Sequence, residues 1–164
     1  MATLIEAIIF DGDPYTAAVP PGMRTVPLQA DLTMLPVTDE VVSQLDPNSV
    51  GDERVPSGWM LQQPVAALGR ALSADRRVLY IVSETFGGPG TKEAIAWHGG
   101  RPLYGPSGTY DIEADLEPGY YLALGDNAVN GGLRAIGVCA ADSSDEYDTV
   151  GLGRHRTTDD WLTG

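Results

Sequence analysis

The chain has 164 residues, 23 acidic and 10 basic side chains, a net charge of −13 and a pI near 4.2. Apolar residues make up 43% and charged residues 20%, too apolar for a disordered chain and enough for one domain with its own core. One cysteine, Cys139, excludes an internal disulfide framework and a multi-cysteine zinc site, and no apolar run reaches the roughly 18 residues of a membrane span.

Thr3–Phe10 (TLIEAIIF) is β-branched and apolar and predicts a buried strand that stops at the turn cluster Asp11-Gly12-Asp13-Pro14. The same N-terminus lacks a positive leader region, so no secretory signal is expected and a cytoplasmic location is. After the break at Pro20-Pro21-Gly22, Arg24–Leu35 alternates, with Val26, Leu28, Ala30, Leu32 and Met34 on one parity. That pattern predicts a half-buried strand, and Pro27 assigns it to an edge. Thr38 is expected to cap a short helix whose Val41, Val42 and Leu45 share a face. Asp46–Pro56 is polar and rich in breakers and reads as a surface loop.

Leu61, Val65, Leu68 and Leu72 form an amphipathic stripe, with Pro64 suited only to the first turn of a helix. Arg77–Phe86 is apolar on both parities at first, the pattern of a central strand covered on both faces. Glu93–Trp97 reads as the returning strand, His98-Gly99-Gly100-Arg101 as a tight turn, and Pro102–Tyr104 as the start of a third strand. Residues 105–120 are turn-rich and acidic. Asp126 is expected to cap a helix carrying Val129, Leu133 and Ile136, and Gly131 and Gly132 within it require tertiary packing to hold them. An acidic loop, Asp142–Asp148, precedes a tail in which Thr158 is expected to cap a last helical turn. The sum is one α+β domain over residues 1–164: an antiparallel sheet with a central β-meander at about 77–104, packed by two to three helices.

The charge is uneven. Residues 1–60 carry a net −7, residues 61–110 a net +2 and residues 111–164 a net −8. So negative a body repels phosphate backbones and anionic membranes, so neither nucleic acid nor a membrane is an expected partner. It fits an acidic face that engages a protein with a basic surface, or solubility alone. Asp142, Asp145, Glu146 and Asp148 are the candidate partner-binding acids. Their spacing lacks the glycine and closing glutamate of a calcium loop, so no metal is expected.

Catalytic motifs are sparse. Gly87–Lys92 lacks the residue order of a phosphate loop, Ser83 and Cys139 have no identifiable base nearby, and no cofactor is expected. Glu84, late in an apolar strand, is a general base, a partner-facing acid, or the ion-pair partner of Lys92 or an arginine across the hairpin. Arg154, His155 and Arg156 form the one basic cluster of the acidic half, readable as an anion pocket or as a charge-balanced tail anchored by Trp161 and Leu162. If catalysis or small-ligand binding occurs, a pocket joining Glu84 to Arg154-His155-Arg156, with His155 as the second catalytic candidate, is expected to carry it.

The segments Glu84-Thr85-Phe86-Gly87-Gly88-Pro89-Gly90 and Ala96-Trp97, with Asp145-Glu146-Tyr147-Asp148, Gly151-Leu152-Gly153-Arg154-His155-Arg156 and Asp160-Trp161, resemble small actinobacterial proteins. The resemblance spans about residues 77–104 and 126–162 and implies no particular activity. Small acidic proteins of such genomes are often similar to immunity proteins, which block a toxin by binding it. That analogy makes an immunity or inhibitor protein the leading expectation, with a small enzyme or ligand-binding protein as the alternative.

Overall fold

The computed structural model describes residues 2–12, 19–86, 90–109, 127–142 and 144–163. Six strands form one antiparallel sheet: β1 (Ala2–Asp11), β2 (Val26–Pro27), β3 (Leu32–Pro36), β4 (Arg77–Phe86), β5 (Thr91–His98) and β6 (Arg101–Thr109), in the order β2-β3-β1-β4-β5-β6. The helices are α1 (Asp39–Ser43), α2 (Gln63–Leu72), α3 (Ala128–Ala135), α4 (Glu146–Thr149) and α5 (Asp160–Thr163). The fold is α+β.

Both faces of the sheet are covered, which explains why β1 and β4 are apolar on both parities. Ile8, Phe10, Val78, Tyr80, Val82, Ile95 and Trp97 face α1, α2 and the loop between them. Ile5, Ala7, Ile9, Leu79, Ile81, Ala94 and Ala96 face α3, α4 and the C-terminal tail. The meander matches expectation, and its second turn uses Gly99 and Gly100 at φ +61° and +74°, the left-handed pair a two-residue hairpin demands. Thr38 caps α1 as expected, its hydroxyl accepting from the Val41 amide.

Four expectations need correction. Arg24–Leu35 is not one strand but the β2–β3 hairpin, turning through Ala30 and Asp31 at positive φ. Its paired positions (Val26 with Met34, Pro27 with Thr33) have the same parity, so the hairpin keeps even-numbered residues on one face as a single strand would. The strand expected to begin at Pro102 continues to Thr109 through the breaker-rich Gly105-Pro106-Ser107-Gly108. Two register shifts against β5 absorb them, and a sheet edge tolerates the prolines. Asn127 caps α3, accepting from the Asn130 amide; Asp126 and most of 105–120 lie outside the described residues. In the tail, Thr157 accepts from the Asp160 amide, whereas the Thr158 hydroxyl accepts from the Glu6 amide.

Asp46–Pro56 is also more than a surface loop. Gly51 and Asp52 are buried, and the Gln63 side chain clasps them: its Oε1 accepts from both amides at 2.8 Å and its Nε2 donates to the Asp52 carbonyl. Asp52 accepts from Trp97 Nε1 at 2.9 Å and pairs with Arg54 at 2.6 Å. Burial opposes its ionisation, but the Arg54 and Trp97 hydrogen bonds prevail and hold its carboxyl at about 2.

Trp97, thus fixed, presses its ring on α2 at Gly69, where an added Cβ would stand 2.5 Å from the ring. In an exposed helix Gly→Ala stabilises by about 1 kcal/mol. Here the ring cannot retreat without losing its bond to Asp52. Gly69→Ala should therefore reverse that sign and destabilise by about 1–3 kcal/mol in urea unfolding, the usual cost of overpacking.

Candidate functional site

One end of the sheet turns ionisable on the α1–α2 face. Glu6 and Glu93 share the parity of Ile8 and Ile95, and they flank Val82 from the strands on either side, about 10 Å apart across the sheet. Glu84 stands two residues along β4 on the same face. Tyr80 donates to Glu6 Oε2 at 2.6 Å. The Met60 amide donates to the Glu93 carboxyl, while Glu93 Oε2 is buried with no hydrogen-bond partner. Burial raises both carboxyls to about 7, with the nearby Asp39 adding to the rise at Glu6 and with Glu84 and Glu6 adding to it at Glu93.

Beside Glu6 the surface opens into a groove of about 850 Å³. Leu4, Val37, Val42, Met60 and Leu162 supply apolar lining, and Glu6, Asp39, Glu40 and Asp159 supply acid, against one base, Arg24. One wall is the tail. Leu4 donates its amide to the Arg156 carbonyl at 2.9 Å, and the Thr158 amide donates to the Leu4 carbonyl at 3.0 Å. Residues 156–158 therefore lie along the part of β1 that β3 does not reach.

The structure separates Glu84 from the Arg154-His155-Arg156 run. Strand alternation sends Glu84 to the α1–α2 face, and no Glu84–Lys92 ion pair exists among the described residues, because Lys92 points to the other face with Ala94 and Ala96. His155 and Arg156 line a second cavity on that face, of about 350 Å³, with Ser83 and Lys92. Arg154 does not join them. Its guanidinium lies over the Trp161 ring at 5.0 Å and donates to the Gly151 and Pro27 carbonyls. Trp161 is buried, as the reading of an anchored tail requires.

The four acids of 142–148 divide in role. Asp142 and Asp148 are exposed. Asp145 caps α4 and accepts from Asn130 Nδ2, and Glu146 is buried in a 2.9 Å pair with Arg134. Two of the four are therefore engaged in packing α4 on α3. Glu6 and Glu93 were not singled out from the sequence, although their signal was present: each is a charge on the apolar parity of its strand. Among the described residues no group of three or more His, Cys, Asp or Glu side chains is arranged to hold a metal, and no helix is long and apolar enough to cross a membrane.

The raised carboxyls set a pH dependence. Each holds its proton more tightly in the folded chain (about 7) than at its ordinary value of 4.5. Their stabilising contribution is complete below about pH 4.5 and is lost as pH rises through 7. Thermal midpoints should thus fall between pH 5 and 8, a window in which Asp52 is ionised throughout. Glu93→Gln should flatten the fall, by an amount on the order of 1–3 kcal/mol. A wild-type profile that stays level across this window would contradict the assignment. Comparisons with family models, curated proteins and solved structures find no match to this chain.

Proposed function

We propose that the chain is a binding protein that takes a basic, partly apolar segment of another protein into the groove beside Glu6, in the manner of an immunity or inhibitor protein. The observation that carries this reading is the convergence of charge. Glu6, Asp39 and Glu40 come from the N-terminal region of net −7, and Asp159 comes from the C-terminal region of net −8. The pairing of the tail with β1 brings both into one groove. An apolar lining with an acidic surround suits arginine or lysine side chains, whose aliphatic stems pack while their heads find carboxylates. A cation beside Glu6 also favours its ionised form, which burial alone disfavours. The resemblance to small actinobacterial proteins and the immunity analogy add the same direction, with a cytoplasmic setting.

The test is titration calorimetry with a short peptide alternating Arg and Leu. Binding should weaken as salt rises, since exposed charges are screened over about 8–10 Å near physiological ionic strength. Asp39→Asn with Glu40→Gln should weaken it about tenfold, a loss of roughly 1.4 kcal/mol. Asp142→Asn with Asp148→Asn removes the same charge from the opposite layer and should leave affinity near wild type. Equal losses in the two double variants would mean general charge attraction and no groove.

A further inference from the structure

The second cavity lies behind the sheet from the groove and has the opposite character. On this face β4 is apolar at Leu79 and Ile81, then turns to Ser83 and Thr85; β1 turns from Ile5 to Thr3, and β5 from Ala94 to Lys92. A row of hydroxyls thus forms the floor. The hydroxyls are tethered: Thr3 bonds Thr85, and Ser83 bonds the Tyr147 hydroxyl. The tail, fixed on β1 by the Arg156 carbonyl, supplies His155 and Arg156, and His155 is held edge-on to Trp161 at 4.7 Å.

Lys92 is the informative residue. It is partly buried, burial lowers its pKa, and it has no ion pair or hydrogen bond among the described residues. Among the described residues the one lining carboxylate, Asp145, is engaged elsewhere: Oδ1 accepts from the Asp148 amide and Oδ2 from Asn130 Nδ2. A desolvated ammonium without a counter-charge is costly, and an anion placed beside it removes that cost.

We infer that this cavity binds a small molecule through a phosphate group. The lining draws donor groups from three elements: hydroxyls from the sheet floor, the ammonium from β5, and imidazole and guanidinium from the tail. A tetrahedral oxyanion can use all three at once, whereas a planar carboxylate presents only two oxygens. The volume of about 350 Å³ lies at the low end of small-ligand sites and admits a phosphate with a small organic body. Nonspecific attraction of anions is opposed by the net −13 of the chain, so any phosphate affinity is local to the cavity. The inference is independent of the groove, whose lining residues it does not share.

The experiment measures binding to the full chain, at constant ionic strength, by calorimetry and thermal shift, with inorganic phosphate, ribose 5-phosphate and acetate as probes. Both phosphates should bind and raise the midpoint, the sugar phosphate more tightly, and acetate should do neither. Lys92→Met should weaken phosphate binding at least tenfold. Without ligand it should melt no lower than wild type, because it removes an unpaired, desolvated charge, so lost binding with an unimpaired fold supports the site. Arg101→Met, an equal charge change on an exposed strand end, should bind as wild type does. Absence of binding by both phosphates, acetate binding as tight as phosphate, or equal losses in Lys92→Met and Arg101→Met would overturn the inference.

Discussion

The free edge of β1 is the constraint on which both cavities depend. β4 pairs with this strand from Ala2 to Phe10, but β3 covers its other side only from Ala7 onward. The amides and carbonyls of Leu4 and Glu6 would otherwise be left open in a half-buried position, and an unmet buried backbone group costs about 1–3 kcal/mol. Four contacts meet them. Leu4 donates to Arg156 and accepts from Thr158, Glu6 donates to the Thr158 hydroxyl, and the Glu6 carbonyl accepts from Val37. The tail is therefore a required partner of the central strand. Thr157, Thr158 and Asp159 then wall the groove on one face, and His155 and Arg156 wall the cavity on the other.

Strand alternation sorts the charges that these walls enclose. Ser83 and Glu84 are neighbours in sequence, as are Lys92 and Glu93, yet the members of each pair lie on opposite faces. The apolar sheet stands between them. Glu6, Glu84 and Glu93 gather on one side without their cationic neighbour, and Lys92 stands on the other without its acidic one. That segregation is why burial, with repulsion from Glu84 and Glu6, can raise Glu93 to about 7 although Lys92 is its neighbour in sequence. A one-residue slip of β5 would place Lys92 beside Glu84 and remove both features.

The meander, α1, α2 and the apolar face of α3 were legible because their signals are local: period-2 runs, i, i+3, i+4 stripes, a capping threonine and a Gly-Gly turn. Signals that depend on distant partners were not. Asp52 gave no sign of burial because its partner Trp97 is 45 residues away. The β2–β3 hairpin could not be told from a strand, since an odd-length turn preserves parity. Breakers inside an edge strand look like a loop, so the residue pattern alone ends strand β6 before Gly105. Of the candidate site, the basic cluster was read as a unit, but only His155 and Arg156 reach a cavity; Arg154 faces Trp161 instead. Glu84 stands out in the sequence by its place on an apolar strand. Glu6 and Glu93 carry the same signal in parity, each a charge among the apolar positions of its strand face.

Net charge has a different meaning once the tail is in place. Along the chain, −7 and −8 are separated by a slightly positive segment that forms the helix and meander. In the fold, pairing of residues 156–158 with β1 brings Asp159 to the groove that Asp39 and Glu40 already line. Burial, with a smaller push from Asp39, keeps a proton on Glu6 for part of the time near neutral pH. Arg24 is the one basic residue in the lining, so the groove does not neutralise itself internally. An external cation would both offset the repulsion and displace that proton. One strand pairing thus concentrates the acidity of the sequence in a single groove, and on the proposed binding reading the proton on Glu6 is the group a basic segment would displace.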